Sequence, residues 1–362
     1  MPRKIASDQA TPLRRGWTTG ACATAAAKAG AIALLGDDFP DPVAIALPRG
    51  GNAEFQLAEK RLDQTGAYAA IVKDAGDDPD VTHGCLVRVH VRCRRNEGVR
   101  FTAGEGIGTV TKPGLALAPG EPAINPMPRR MIETELKAAA TAKGKLCAFD
   151  VAISIPGGAA LAEKTLNGRL GIVGGLSILG TTGVVVPFSC ASWIHSIHRG
   201  IDVARATGIP HMAAATGSAS EAFVAARYGL APEALIDMGD FVGGTLKYLK
   251  QHPVPRLTIA GGIGKLVKLA QGAMDLHSKR STLDRGELAK RLGATGTFKA
   301  AILEANTALE ALLIAQAEDI PMGQIVAEDA RSQAMQALGA GVVVEVFVLD
   351  RDSIIVGHAQ GW

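Results

Sequence analysis

The sequence predicts two domains of different class: an α+β domain followed by an α/β domain with a doubly wound parallel sheet. Three observations carry this. A chain of 362 residues suggests two domains. Residues 86–94 alternate with a period of two, placing Val87, Val89, Val91 and Cys93 on one side of a strand and Arg88, His90, Arg92 and Arg94 on the other. From Phe149 onward a strand–loop–helix rhythm repeats, which argues a parallel sheet. The boundary is placed near Leu146, giving domains over residues 1–145 and 146–362.

Residues 1–15 read as a loose arm. Its Arg3, Lys4, Arg14 and Arg15, set before an Ala-rich run, imitate a signal peptide, but Lys28 interrupts that run and alanine is poorly hydrophobic. After Gly16-Trp17-Thr18-Thr19-Gly20 an Ala-rich helix is predicted to about Leu35, ended by Gly36. Strands follow at residues 43–47, 54–60, 68–72 and 86–94, and a helix starts near Arg129. This half reads as helices on one face of a mostly antiparallel sheet. In the second half, strands are predicted at residues 149–155, 211–215, 235–238 and 256–260, with helices at 192–207, 218–228, 241–250 and 263–274. Helices then dominate to Leu338, and residues 342–349 and 353–358 read as a terminal β-hairpin. Residues 171–188 lack charge over the length of a membrane span, but their Gly and Thr content reads as a buried strand–loop–strand, so no membrane segment is expected.

Composition narrows the function. At 47% hydrophobic and 20% charged the chain is an ordinary globular protein. Aromatics are only 4%, so stacking platforms for bases are scarce, and a net charge of +3 from dispersed Lys and Arg argues against nucleic acid as a partner. The five cysteines are odd in number and form no Cys-x-x-Cys pair, which disfavours structural zinc and disulfides and fits a reducing cytoplasm.

Residues 73–84 gather four carboxylates, a lysine and a histidine between two predicted strands. Like charges held close cost free energy unless something uses them, such as a cation, a ligand hydroxyl or a proton transfer. The plainer alternative is a solvated polar hairpin. Calcium does not suit the spacing of Asp74, Asp77, Asp78 and Asp80. Three predicted strands of the second half end in small residues, at Thr216-Gly217-Ser218, Gly239-Asp240 and Gly261-Gly262-Ile263-Gly264-Lys265. Open α/β sheets bind ligands at such ends, so these three outline one crevice. The last of them opens a helix and suits an anion, or is simply a tight turn; it is neither a P-loop nor a full dinucleotide fingerprint.

Other segments carry polar groups on stiff or glycine-rich backbone. Residues 104–114 bring Lys112, and residues 121–129 present Glu121, Asn125 and Arg129 between prolines, either to a ligand or as helix caps on a rigid connector. The basic row from Arg88 to Arg94 suits a flat ligand with several carboxylates, or is a solvated face. Residues 174–183 hold no titratable side chain and suit a nucleoside or sulfonium lining better than a hydrolytic mechanism. No Ser-His-Asp order, His-Glu-x-x-His or kinase motif is present.

Taken in order, these segments resemble the CbiD family, the cobalt-precorrin-5B C1-methyltransferases of cobalamin biosynthesis. The matching pieces are residues 16–23, 73–84, 104–114, 120–129, 164–171, 174–183 and 264–270. The chain departs from the family at Gly262, where histidine is usual, at Ser218, where asparagine is usual, and at Asp275-Leu276 in place of Asn-Thr; no role of those side chains is carried over. The resemblance implies methyl transfer from S-adenosylmethionine to C1 of a cobalt-containing tetrapyrrole. It also implies a Rossmann-like second domain, unlike the usual methyltransferase fold. Cobalt arrives inside the substrate, so no protein metal site is expected. On this reading Thr216, Gly217, Ser218, Gly239, Asp240, Gly261, Gly262, Gly264 and Lys265 hold the donor, with Asp240 accepting the ribose hydroxyls. Arg88, Arg92, Lys112, Glu121, Asn125 and Arg129 meet the tetrapyrrole, and Asp74, Asp78 or His83 serves as base or orienting group. Membranes and nucleic acid are not expected partners, while transient contact with other enzymes of the pathway is allowed. The rival readings are a non-catalytic tetrapyrrole carrier and a small-molecule kinase or ligase using the glycine loops for ATP.

Overall fold

The Ala-rich segment forms the helix Thr19–Leu34 in the computed structural model, which describes residues 12–362. Its alanines from Ala21 to Ala31 are buried, because methyl side chains let neighbouring backbone approach from every side. Thr18 caps it by accepting from the Ala21 N–H. The helix packs on the strands Gly66–Val72 and Leu86–Cys93 and on the helix Pro126–Ala142. An ion pair anchors the two helices: Lys28 Nζ lies 2.8 Å from Glu135, while Ala44 O and Ala46 N take their remaining bonds.

The sheet beneath runs Glu59–Asp63, Gly66–Val72, Leu86–Cys93, Ala148–Ser154, Gly98–Ala103. Every pairing is antiparallel except the last. Val87, Val89 and Val91 are buried with Phe149, Val151 and Ile153, on the side that the alternation marks as apolar.

Four expectations need correction. The single strand expected over residues 54–60 is two strands: Asn52–Phe55 pairs with Val43–Ala46, and Glu59–Asp63 joins the larger sheet. Gly98–Ala103 was not expected: its alternation, Val99, Phe101 and Ala103 against Arg100 and Thr102, is short, and it forms an edge strand paired in parallel with Ala148–Ser154. The helix expected from Arg129 begins at Pro126, since proline lacks the N–H that a first helical turn leaves unused. Of the loose arm, Arg3 and Lys4 lie outside the described residues, while Arg14 and Arg15 are held, Arg15 by a bridge to Gly76.

The chain divides into two compact units, one reaching to Lys112 and resuming over Ala116–Ser189, the other Pro113–Leu115 with Cys190–Trp362. Leu146 therefore lies inside the first unit, because Ala148–Ser154 hydrogen-bonds between two of its strands. The uncharged stretch over 171–188 contains only the two-residue strands Ile172–Val173 and Val184–Val185, and no helix of the described residues is long and apolar enough to cross a membrane.

The second unit is built on a sheet ordered Leu235–Asp237, His211–Ala215, Arg256–Gly262, Val343–Leu349, Ile355–Ala359. Its first three pairings are parallel and the last antiparallel. Met212, Ala214, Leu257, Ile259, Val344 and Val346 face a core with helices Cys190–Ala206, Val242–Gln251, Ile263–Ala270 and Met322–Leu338. Ala213, Ala260 and Phe347 face the opposite way, against Val224 of helix Ser218–Tyr228. The terminal hairpin extends this sheet, since its first strand is also a parallel partner of Arg256–Gly262.

On that second face Glu345 is 2% exposed. It accepts from Tyr228 Oη, from Thr258 Oγ1 at 3.2 Å, and meets His358 Nε2 at 2.7 Å. His211 lies 2.8 Å from Thr258 Oγ1, and burial holds its imidazole below the ordinary value of 6.5; His195 and His198 are lowered by burial in the same way. A histidine lowered in the folded state binds its proton more weakly than in the unfolded chain. Stability is therefore complete above that ordinary value and declines as pH falls below it. The urea midpoint should fall between pH 7.5 and 5.5, and a His211→Gln variant should show a shallower decline.

Candidate active site

The acidic loop over residues 73–84 divides its four carboxylates among separate partners. Asp74 takes the Arg14 guanidinium with both oxygens, one bond measuring 2.9 Å, and accepts the Gly76 N–H. Asp77 accepts the backbone N–H of Arg14 at 2.6 Å, and Asp78 that of Phe188 at 2.8 Å. Asp80 pairs with Lys73 at 2.6 Å and accepts both Thr82 donors. Two of the four carboxylates are thus paired with cations and two with backbone N–H groups, and among the described residues no group of three or more His, Cys, Asp or Glu is placed to hold a metal ion.

These partners set the titration. Hydrogen bonds from Arg14, then from Gly76, hold the Asp74 carboxyl down at about 2, so it is a weak proton acceptor at neutral pH. Burial raises Asp80, but the Lys73 ammonium and the Thr82 bonds outweigh it and leave the carboxyl below its ordinary range. Lys73 itself is 1% exposed. His83 Nδ1 accepts the Ala75 N–H at 3.1 Å, so the neutral ring carries its proton on Nε2 and offers a donor outward.

The basic row is laced rather than bare. Arg88 donates twice to Glu59, at 2.9 and 3.0 Å. His90 stacks on Tyr68 at 3.9 Å between ring centroids. Arg92 is held more loosely than Arg88: its nearest carboxylate, Asp150, lies 3.9 Å away and is closer to Arg100. Lys112 lays its stem across Gly171, where an added Cβ would sit 2.5 Å from Lys112 Cγ. Arg129 clamps the proline loop, pairing with Glu121 at 2.7 Å and donating to Ile124 O and Pro122 O. Asn125 precedes the helix, makes no side-chain cap, and donates its backbone N–H to Ile178 O. Glycine loops 104–114 and 174–183 lie against each other, with Leu176 N bonded to Gly106 O and Gly108 N to Leu176 O.

The three strand ends of the second unit do meet, and Lys265 joins them. Its ammonium donates to Thr216 O at 2.7 Å and lies 3.1 Å from Asp240 Oδ1. Thr216 follows one strand, Asp240 follows a second, and Lys265 opens the helix after the third. Gly261 must be glycine, since a Cβ would meet Thr216 Oγ1 at 2.6 Å. Gly217 and Gly264 face open space, Gly262 very nearly so, and Ser218 starts the following helix. Gly239 turns the chain in a left-handed conformation (φ 56°) just before Asp240.

Two aromatic residues at these places carry no sequence motif. Phe188 is 66% exposed and adopts φ 53°, held by Asp78. Trp193 projects to the strand ends, its Nε1 donating to Asp237 O at 3.1 Å. Only their exposure beside polar turns marks them, and exposure is invisible in a sequence.

Removing the Asp80 carboxylate would leave the Lys73 ammonium buried and unpaired. Asp80→Ala should therefore destabilise the first unit by about 3–5 kcal/mol, read by urea denaturation. Asp74→Ala should cost far less, because the Arg14 pair is largely exposed.

A family model described as CbiD matches residues 6–187, and one described as CbiD, C-terminal domain, matches residues 275–360. A protein of Rhodospirillum rubrum named cobalt-precorrin-5B C(1)-methyltransferase is 56% identical, over 97% of this chain and 99% of its own length. One of the same name from Paramagnetospirillum magneticum is 54% identical, over 98% and 100%. The crystal structure of the cobalamin biosynthesis protein CbiD from Archaeoglobus fulgidus is 28% identical, covering 74% of this chain and 83% of that one, with a TM-score of 0.41. With its first half matched by the family model and near-complete relatives at more than half identity, the chain belongs to the CbiD family.

Proposed function

We infer that this chain is a cobalt-precorrin-5B C(1)-methyltransferase of cobalamin biosynthesis, and that its methyl donor is S-adenosylmethionine. The observation that carries the reaction is kinship at 56% identity over nearly the full length of a protein of that name. Methyl transfer is an in-line displacement: the ring carbon's electron pair forms the new C–C bond as the S–CH3 bond breaks, and the sulfonium leaves as a neutral thioether. Such a reaction gains mainly from positioning, on the order of 7–11 kcal/mol when the reacting atoms are well aligned.

The donor lies, on this reading, at the carboxyl ends of the second unit's Rossmann-like sheet. Open backbone at Gly217, Gly262 and Gly264 admits it, with Thr216, Ser218, Gly239 and Gly261 shaping the turns around it. Asp240 accepts the ribose hydroxyls, its orientation set by Lys265. The carboxylate arms of the tetrapyrrole are met first by Arg92, which is more loosely paired than Arg88. Arg88 and Arg129 exchange Glu59 and Glu121 for substrate carboxylates, Lys112 adds charge, and Asn125 an amide. Asp74 acts as an orienting group rather than a base, because its carboxyl is held at about 2. His83 donates from Nε2, and Asp78 fixes the Phe188 loop. Cobalt belongs to the substrate.

Incubation with cobalt-precorrin-5B and methyl-labelled S-adenosylmethionine should add one labelled methyl by mass analysis. Pigment binding without methyl gain would instead make the protein a carrier. Asp240→Ala should weaken S-adenosylmethionine by about ten- to a hundredfold in calorimetry, the range for a hydrogen bond to a charged group. Unchanged affinity would remove Asp240 from the donor site.

A further inference from the structure

We propose that Trp193 is the wall on which the adenine ring of the methyl donor stacks. The inference rests on the donor site proposed above and names its base-recognition element. Trp193 is 46% exposed, although a tryptophan gains more than any other side chain from burial. It is nevertheless held in place. Its Nε1 donates to Asp237 O, the last residue of the strand Leu235–Asp237. Indole atoms Nε1, Cε2 and Cζ2 lie 3.7 Å from where a Cβ of Gly239 would stand, and Phe241 flanks the ring with centroids 6.4 Å apart. The indole is therefore fixed beside the turn Gly239–Asp240.

That turn carries the carboxylate facing Lys265. A carboxylate accepts the paired hydroxyls of a ribose, and the base is bonded directly to the same sugar. An aromatic surface anchored to the same strand end is where the base then falls. The glycine at 239 keeps the approach to the indole clear of a side chain. Base–aromatic stacking of this kind typically changes affinity by about ten- to a hundredfold on alanine substitution. An alternative use of an indole, cation–π attraction to the sulfonium, makes a different prediction. The sulfonium is charged in S-adenosylmethionine and absent from S-adenosylhomocysteine, whereas adenine is common to both.

The test is calorimetric titration of the full chain and its Trp193→Ala and Trp193→Phe variants with both compounds, each variant first checked for an unchanged thermal unfolding transition. Trp193→Ala should weaken both ligands by a similar factor of about ten to a hundred. Trp193→Phe should retain most of the affinity, since it keeps a ring and loses only the bond to Asp237. Donor binding should also quench tryptophan fluorescence in the parent chain and not in Trp193→Ala, where Trp17 and Trp362 remain as controls. Equal affinity in parent and Trp193→Ala overturns the proposal. Loss of S-adenosylmethionine alone, with S-adenosylhomocysteine unaffected, overturns the adenine assignment in favour of the sulfonium. If the parent chain binds neither ligand, the donor site itself falls and the stacking wall with it.

Discussion

Backbone packed directly on backbone is the constraint on which both units depend. In the first unit a Cβ at Gly16 would sit 2.0 Å from the carbonyl carbon of Ala75, and one at Gly106 would sit 1.9 Å from Ile155 O. In the second, Gly357 approaches Gly323 O just as closely. Contacts this short exclude any side chain, and overpacking them typically costs about 1–3 kcal/mol or more. They account for glycine at those positions, as the small side chains of Thr19–Leu34 account for the close packing around that helix. The loops over 104–114 and 174–183 are held both by such backbone contacts and by Ile107, Leu176 and Ile178, whose side chains enter the first unit's core.

Two lysines then do different work because they differ in exposure. Lys73 is buried, and its charge is offset by Asp80 alone, so the pair closes the acidic loop and has little freedom to do anything else. Lys265 is about a third exposed, bonded to one carbonyl and one carboxylate at converging strand ends. A cation held in this way can reorganise toward a ligand without leaving a buried charge behind. The contrast separates a residue that builds a site from one able to act in it.

The acidic loop shows how far residue types can be read. Its turn character and its flanking strands were legible in residues 73–84. Its solution to charge repulsion was not. Arg14 and Phe188 lie 60 and 110 positions from their aspartate partners, and no local pattern announces such pairings. The same holds for the basic row. Alternation placed Arg88 and Arg92 on one strand face, but Glu59 and Asp150, on neighbouring strands, decide which of them is already satisfied.

By itself the sequence determined what periodicity and punctuation determine. The alternation of residues 86–94 and the strand–loop–helix rhythm marked most of the strands and helices, because those signals lie within a few residues of one another, and the order of the glycine motifs marked the family. Tertiary structure alone decided that Ala148–Ser154 is shared between two strands of the first unit, and so that this unit runs to Ser189. It alone decided that one lysine joins three strand ends and that one tryptophan stays exposed beside them. Hydrogen-bond pairing and exposure arise from segments far apart in the chain, and the free energy that selects them belongs to the packed whole rather than to any stretch of it.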